Sequence, residues 1–205
     1  NDSFASGNQA APDYWKIVAG CPASQCDAGT LLTLSQSPAA GDVIANGCAS
    51  GSLPGNDCRL MGGGFVEFSS KRNFAVTADF PIAVGQFFAG ENASGSVGNA
   101  AVQGDPSFVL LPPVEQWRSQ YTVLAAPNIR DNYLALAIDD AKAATVEVDG
   151  VSVTGFTAIA GTSPDGGVVT FKIKNHPVQV GTHTVRVITQ PGVSTIAGAG
   201  VTVYG

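Results

Sequence analysis

The fold class is decided by residues 104–150, which read GDPSFVLLPPVEQWRSQYTVLAAPNIRDNYLALAIDDAKAATVEVDG. Three segments of this stretch, 121–125, 133–138 and 145–148, are separated by turn-forming residues, and the third, TVEV, alternates polar and apolar residues most clearly. The third segment ends at Asp149-Gly150, a dipeptide typical of a tight hairpin turn. Alternation with a period of two predicts strands that each bury one face.

The same pattern continues on both sides of this stretch. We predict strands at 14–19, 30–34, 42–45, 65–68, 73–78 and 82–88 before it, and at 156–160, 168–173, 182–188 and 201–204 after it. Strands at a spacing of roughly 8–12 residues are typical of a sandwich or barrel. A helical turn is predicted only at 113–120, because proline suits the first helical position. The sequence therefore predicts an all-β, β-sandwich-like fold with antiparallel sheets and at most one or two short helical turns.

The chain is long enough and apolar enough to form a domain with a hydrophobic core. The chain has 205 residues, of which 44% are hydrophobic and 13% are charged. We interpret residues 1–205 as a single β-rich domain, with two closely packed sub-sandwiches at about 1–118 and 119–205 as the alternative. Because the sequence starts at Asn1, without a signal peptide, we expect a fragment of a longer chain with neighbouring domains.

Charge and motif content exclude several classes of function. The net charge is −6, and the ten Lys and Arg residues form no cluster, which argues against nucleic-acid binding. No apolar run approaches the roughly 18 residues that cross a bilayer, so we predict no membrane insertion in this segment. No nucleophile–base pair, metal cluster or nucleotide loop stands out. The sequence therefore predicts a protein that is not an enzyme.

Four cysteines lie in the first third of the chain, at Cys21, Cys26, Cys48 and Cys58. They lack the paired spacing of a zinc site, and four cysteines allow three pairings. Proximity in the sequence favours Cys21–Cys26 and Cys48–Cys58, with free thiols as the alternative. Disulfides imply an oxidising compartment, so we expect an extracellular or cell-surface location.

Several single residues have both a structural and a functional interpretation. Trp117 follows a double proline, and we predict that it is a buried structural anchor, with sugar stacking as the alternative. For Trp15 both interpretations stay open. His176 is predicted in a turn and His183 at an exposed strand position. For the glycines at 62–64 we predict a bulge or close backbone contact within a strand, because no helix with Lys-Ser/Thr follows, as a phosphate loop would need.

Calcium is the one cofactor that the sequence leaves open. Asp139 and Asp140 offer carboxylates, but neighbouring residues of a strand point to opposite faces and would not easily share one ion. No calcium-binding loop motif is present. We therefore predict no cofactor, with calcium as the alternative.

Part of the sequence resembles a known family. FAVTADFPIAVGQFFAG at residues 74–90 contains the pattern V.AD.PI.V.QF, and residues 104–150 contain GDPS, PP..QWR..Y and V.VDG. Together with GTHTVRV at 181–187 and the closing Tyr204-Gly205, these segments resemble the N-terminal domain of IgGFc-binding proteins over roughly residues 60–205. The resemblance implies an extracellular recognition or adhesion module, of the kind found in large bacterial surface proteins, within a longer multidomain chain.

These observations lead to a functional prediction. We expect an extracellular adhesion or ligand-binding module, with a structural spacer of a filament, stalk or long adhesin, or a lectin-like domain, as alternatives. The expected partner is an extracellular glycan or protein. Contact is predicted through the polar loop at 91–104, whose candidate ligand-binding residues are Glu91, Asn92, Ser94 and Asn99.

Overall fold

The structure is a computed structural model that describes residues 12–20, 28–53, 57–88, 107–129, 131–162 and 168–204. Within these ranges every pair of neighbouring strands is antiparallel, and 3₁₀ turns occur at Ala40–Asp42 and Val114–Gln116. The chain divides into two compact units, of which the first covers Asn1–Leu111 and Gly161–Val168 and the second covers Pro112–Ala160 and Val169–Gly205. The predicted all-β, sandwich-like fold is confirmed.

The first unit contains nine strands in the described residues. They are β1 (Asp13–Ala19), β2 (Thr30–Leu34), β3 (Val43–Asn46), β4 (Ser50–Gly51), β5 (Asp57–Leu60), β6 (Phe65–Ser70), β7 (Val76–Ala78), β8 (Ile82–Phe88) and β9 (Ser107–Leu110). A five-stranded sheet has the order β3-β6-β1-β8-β9, and a four-stranded sheet has the order β4-β5-β2-β7. The first sheet thus has β1 at its centre.

The two sheets of the first unit share one core. Strand β1 contributes Ile17 and β6 contributes Phe68, while the facing sheet contributes Leu32 and Leu60, and all four side chains are almost completely buried. Each buried side chain of this size stabilises the fold by about 1.5–3 kcal/mol. Because only alternate residues of a strand point inward, the other residues of β1 and β8 face outward.

The second unit repeats this plan with other strands. They are β10 (Gln120–Ala125), β11 (Asn132–Asp139), β12 (Ala143–Val148), β13 (Val151–Ser152), β14 (Thr157–Thr162), β15 (Val168–Val178), β16 (Gly181–Thr189) and β17 (Ala199–Tyr204). One sheet has the order β10-β16-β12-β13 and the other the order β14-β15-β11-β17. Their inner faces meet in a core that includes Leu134, Leu136, Val146 and Val185.

Two local predictions agree with the structure. Asp149 and Gly150 have φ angles of 52° and 78° and join β12 to β13, as a tight hairpin turn requires. A single short 3₁₀ turn, Val114–Gln116, lies inside the segment predicted as helical.

The glycines at 62–64 make the predicted close backbone contacts but do not lie within a strand, so their predicted location was wrong. They form a turn that carries the chain from β5 in one sheet to β6 in the other. Gly63 has a φ of 78° and donates its N–H to the carbonyl of Ala19 at 3.0 Å, while Gly64 accepts the N–H of Ala19 at 3.0 Å. The turn therefore closes over the end of β1. Glycine suits position 63 because of its positive φ, and position 64 because a Cβ atom there would lie 2.9 Å from the carbonyl oxygen of Met61.

One of the two predicted disulfides lies in the described residues. Cys48 and Cys58 are bonded, and Cys58 is completely buried in the core of the first unit. The pairing of these two cysteines is thus as predicted. Cys21 and Cys26 lie outside the described residues, and their pairing stays a prediction.

Trp117 is half-buried and is not among the core residues, so the prediction that it is buried was wrong. Its indole lies over Gly200, which pairs with the outward-facing Ala137, and its ring meets Phe171 edge-on at 5.9 Å. The indole N–H donates to the carbonyl of Pro112 at 3.4 Å. Trp117 therefore covers the outer face of a sheet, because the strand beneath it has no side chain at position 200.

A tyrosine holds the Trp117 segment against β17. The hydroxyl of Tyr121 donates to the carbonyl of Ala199 and accepts the N–H of Arg118 at 2.9 Å. Arg118 in turn accepts the N–H of Ala199 at 3.0 Å. These three bonds join the approach to β10 with the final strand, while the anchoring role of Trp117 stays a prediction.

The glycine beneath Trp117 is testable with a double-mutant cycle. A Cβ atom at Gly200 would lie 2.9 Å from the indole nitrogen of Trp117. We expect Gly200→Ala to destabilise the protein by about 1–3 kcal/mol, and by much less in a Trp117→Ala background. Urea unfolding of the four variants measures the coupling.

Gly41→Ala is the matched control, because a Cβ atom there meets nothing within 4 Å. We expect it to change the unfolding free energy by no more than about 0.5 kcal/mol. Additive effects of Gly200→Ala and Trp117→Ala would contradict the contact.

Candidate functional site

A row of three aromatic residues crosses the outer face of the five-stranded sheet. Tyr14 on β1 pairs with Phe87 on β8, and Phe87 pairs with Phe108 on β9. Their exposed fractions are 37%, 40% and 56%. We call these three residues the aromatic row. It follows from alternation, because Trp15 and Ile17 of β1 point into the core and leave Tyr14 outside.

Ring contacts hold the row together, and the absence of a side chain at Gly85 leaves room for it. The ring centroids of Phe87 and Phe108 lie 4.8 Å apart at an angle of 41°. A Cβ atom at Gly85 would lie 2.6 Å from the ring of Phe108, so only glycine lets this ring lie across β8. Leu110 pairs with Gly85 and is 61% exposed, which extends the apolar surface along β9.

The charges on the same face compensate each other. Lys16 of β1 pairs across the sheet with Glu67 of β6, and their side chains form an ion pair at 2.7 Å. The ammonium group of Lys16 also lies 3.9 Å from the ring centroid of Phe65. Such cation–π contacts are worth about 0.5–1 kcal/mol at exposed sites. Because Lys16 and Glu67 neutralise each other, this face has little net charge that could attract a charged ligand.

A shallow depression lies beside Phe65. It has a volume of about 300 Å³ and lies between Asn46 at the end of β3 and the Gly63-Gly64 turn. Together with the aromatic row and Leu110, Phe65 makes a surface on four of the five strands. We call the set Tyr14, Phe65, Phe87, Phe108 and Leu110 the outer apolar face.

Trp15 does not belong to this surface. It points to the opposite side of β1, packs against the core of the first unit and meets Phe74 edge-on at 4.8 Å. This position favours the structural interpretation of Trp15.

Neither histidine has the position predicted for it. His176 lies within β15, opposite Leu134, and not in a turn. His183 is only 8% exposed, not an exposed strand position, because its side of β16 also carries the core residue Val185. The Asp149 turn at the end of β12 covers the His183 ring, which sequence alternation alone could not reveal.

Both ring nitrogens of His183 have acceptors. Nδ1 lies 2.7 Å from the Asp149 carboxylate and Nε2 lies 2.6 Å from the carbonyl of Gln179. Two acceptors require two N–H groups, so this environment favours the imidazolium. The hydrogen bond to Asp149, followed by that to Gln179, raises the pKa of His183. The hydrogen bonds from His183 and from the N–H of Thr184 lower the pKa of Asp149.

The aspartates considered for calcium each have a lysine partner. The Asp139 carboxylate lies 3.2 Å from the Lys142 ammonium group, and Asp140 forms an ion pair with Lys172. Across the described residues, no group of three or more His, Cys, Asp and Glu side chains could hold a metal ion. The choice between no cofactor and calcium stays a prediction.

Glu91, Asn92, Ser94 and Asn99 fall outside the described residues, so their role stays a prediction. The outer apolar face was missed because β9 was not predicted as a strand, and because a strand pattern does not say which strands are neighbours. The one local signal was the pair of aromatic residues at 87 and 88, which must point to opposite faces of β8.

Comparisons with known proteins give one positive result. A family model described as IgGFc binding protein matches residues 45–205, which is more than half of the chain. No curated protein and no solved structure matches. Among the described residues, no helix has the length and apolar character needed to span a membrane.

The His183 contacts predict a specific pH dependence. The folded-state pKa of His183 is raised above its unfolded value of about 6.5, so the stabilisation is complete below that pH and is lost as pH rises through the folded pKa. We expect the unfolding free energy of the wild type to fall above pH ~6.5 relative to that of His183→Gln. Urea unfolding across this range measures the difference.

His176→Gln is the control for this experiment. Burial, followed by the Lys174 charge, lowers the pKa of His176, so its protonation acts below the same pH window. This variant should keep the loss of stability at higher pH. A constant difference between the wild type and His183→Gln across the range would contradict the assigned imidazolium.

Proposed function

The chain belongs to the IgGFc-binding protein family, and on this premise we propose that it is an extracellular binding module of a larger secreted or cell-surface protein. In this proposal the module holds a protein ligand against the outer apolar face and catalyses nothing. Adhesion follows when the parent chain and the ligand belong to different surfaces.

The observation that carries the proposal is the aromatic row. Tyr14, Phe87 and Phe108 are neighbours on three adjacent strands, and all three are exposed. Soluble proteins rarely expose large contiguous apolar patches without a function, and the centres of protein interfaces are enriched in aromatic residues. A regular sheet supports these residues, so little conformational entropy is lost when a ligand binds.

The surroundings of the row favour a protein ligand over a glycan. Sugar-binding sites place polar groups around their stacking rings. Here the neighbours of the row are Gly85, Ala83 and Leu110, while Lys16 and Glu67 bond each other. A spacer domain, the other alternative, has no need of such a surface.

The disulfide supports an extracellular location. Cys48–Cys58 joins the loop after β3 to a buried position on β5. Disulfides form and persist mainly in secreted and surface proteins. Binding outside the cell is therefore consistent with the chemistry of the first unit.

The loop predicted from the sequence fits this proposal as a second contact element. Residues 91–104 lie between β8 and β9 in the sequence, and these two strands carry Phe87 and Phe108. Glu91, Asn92, Ser94 and Asn99 would then supply polar contacts to the ligand, as polar residues usually do at the rim of an interface.

A ligand array with matched variants tests the proposal. The array carries extracellular proteins, among them the Fc fragment that the family description names, and a set of glycans. We expect binding to at least one protein, and Phe87→Ser combined with Phe108→Ser should weaken it by about 30-fold or more, as for interface hot spots. Titration by surface plasmon resonance measures the loss.

The control is Leu124→Ser, which removes a side chain of the second unit that is 65% exposed. It should leave the affinity unchanged, and all variants should keep the melting temperature of the wild type within a few degrees. Binding to glycans alone would support the lectin-like alternative. Binding to nothing would support the spacer alternative.

A further inference from the structure

Strand β9 stands at the edge of the five-stranded sheet in the described part of the chain. Among the described residues it pairs with β8 alone, and Ser107, Phe108, Val109 and Leu110 include no charge and no proline. Proteins usually protect edge strands with lysine, proline or a bulge, because unpaired backbone groups are a template for another strand. The opposite edge of the same sheet, β3, does have a register shift.

The hydrogen-bonding register identifies the free backbone groups. Leu111 donates its N–H to the carbonyl of Val84 at 2.9 Å, so 84 and 111 form a hydrogen-bonded pair. Hydrogen-bonded and non-hydrogen-bonded pairs alternate along an antiparallel ladder. Phe108 and Leu110 therefore stand at non-hydrogen-bonded positions toward β8, and their N–H and C=O groups point to the open edge.

We propose that this edge pairs with the same edge of a second copy of the chain. An antiparallel copy aligned about a two-fold axis at Val109 places Phe108 opposite the partner's Leu110, and Leu110 opposite the partner's Phe108. Both pairs are hydrogen-bonded pairs, so four backbone hydrogen bonds form. No like charges oppose each other, since the strand has none. The edge is thus self-complementary in register and in charge, as a two-fold interface requires.

The pairing would also join two outer apolar faces. Paired residues of neighbouring strands lie on the same face of a sheet, so the partner's Leu110 would extend the aromatic row beyond Phe108. Two five-stranded sheets would become one continuous sheet with two copies of the ligand surface. Even a weak dimer would then bind a repetitive or multivalent ligand with higher apparent affinity. The dimer itself does not require that the ligand proposal be correct.

Two variants at one position separate backbone pairing from side-chain contact. Leu110→Pro removes an N–H that points away from β8, so it leaves the bonds to β8 in place while it blocks the new strand. Leu110→Ala removes the same side chain but keeps the N–H. We expect the wild type to dimerise increasingly between ~10 and ~500 µM, because an edge of four residues makes only a small interface. Leu110→Ala should dimerise more weakly, and Leu110→Pro should stay monomeric in sedimentation velocity.

A cysteine variant tests the register independently of proline. Across the proposed axis the two Val109 residues form a non-hydrogen-bonded pair, with Cα atoms about 4.5 Å apart, within the range of a disulfide. Val109→Cys should therefore yield a covalent dimer under mild oxidation. Ser107→Cys is the control, because the two copies of residue 107 would be about 14 Å apart along the strand.

Each outcome of these experiments either supports or overturns the proposed dimer. A dimer that is lost in Leu110→Pro and trapped by Val109→Cys, with Ser107→Cys uncrosslinked, supports the proposal. A monomeric wild type at ~500 µM overturns it, since even a small specific interface would then be populated. A dimer that persists in Leu110→Pro, or that is trapped equally at 107 and 109, also overturns it, because another surface would then join the copies. If Leu110→Pro fails to fold, the cysteine pair alone decides.

Discussion

Each unit depends on the packing of two sheets through alternate residues of their strands. In the first unit, Ile17 and Phe68 meet Leu32 and Leu60 in a core from which water is excluded. This contact stabilises the fold, and it also decides what remains outside, because a strand that buries one face must expose the other. The outer apolar face is a consequence of that constraint.

Glycine beneath an aromatic ring occurs in both units, with different results. In the second unit Trp117 covers Gly200 and is held there by the bonds of Tyr121 and Pro112. In the first unit Phe108 covers Gly85 but stays more than half exposed. An aromatic ring over a glycine is thus half-buried in one unit and more than half exposed in the other. The difference lies in the segments that pack around each ring.

The proposed ligand contact and the proposed dimer involve different groups of strand β9. Ligand contact uses the side chains of β9, which stand perpendicular to the sheet. Copy pairing uses its backbone groups, which lie in the plane of the sheet. The two proposed interactions would therefore not compete, and multivalent contact through the dimer would compensate for a weak single site.

The sequence by itself determined the all-β class, the position of most strands, the hairpin at Asp149-Gly150 and the pairing of Cys48 with Cys58. All of these rest on local patterns or on short separations along the chain. Only the tertiary structure decided that Tyr14, Phe87 and Phe108 form one row, that His183 is buried beneath the Asp149 turn, and that Trp117 lies on an outer face. These features join residues dozens of positions apart. The periodicity of a strand tells which residues share a face but not which strand becomes its neighbour, because register and sheet order are set by the packing of the whole unit.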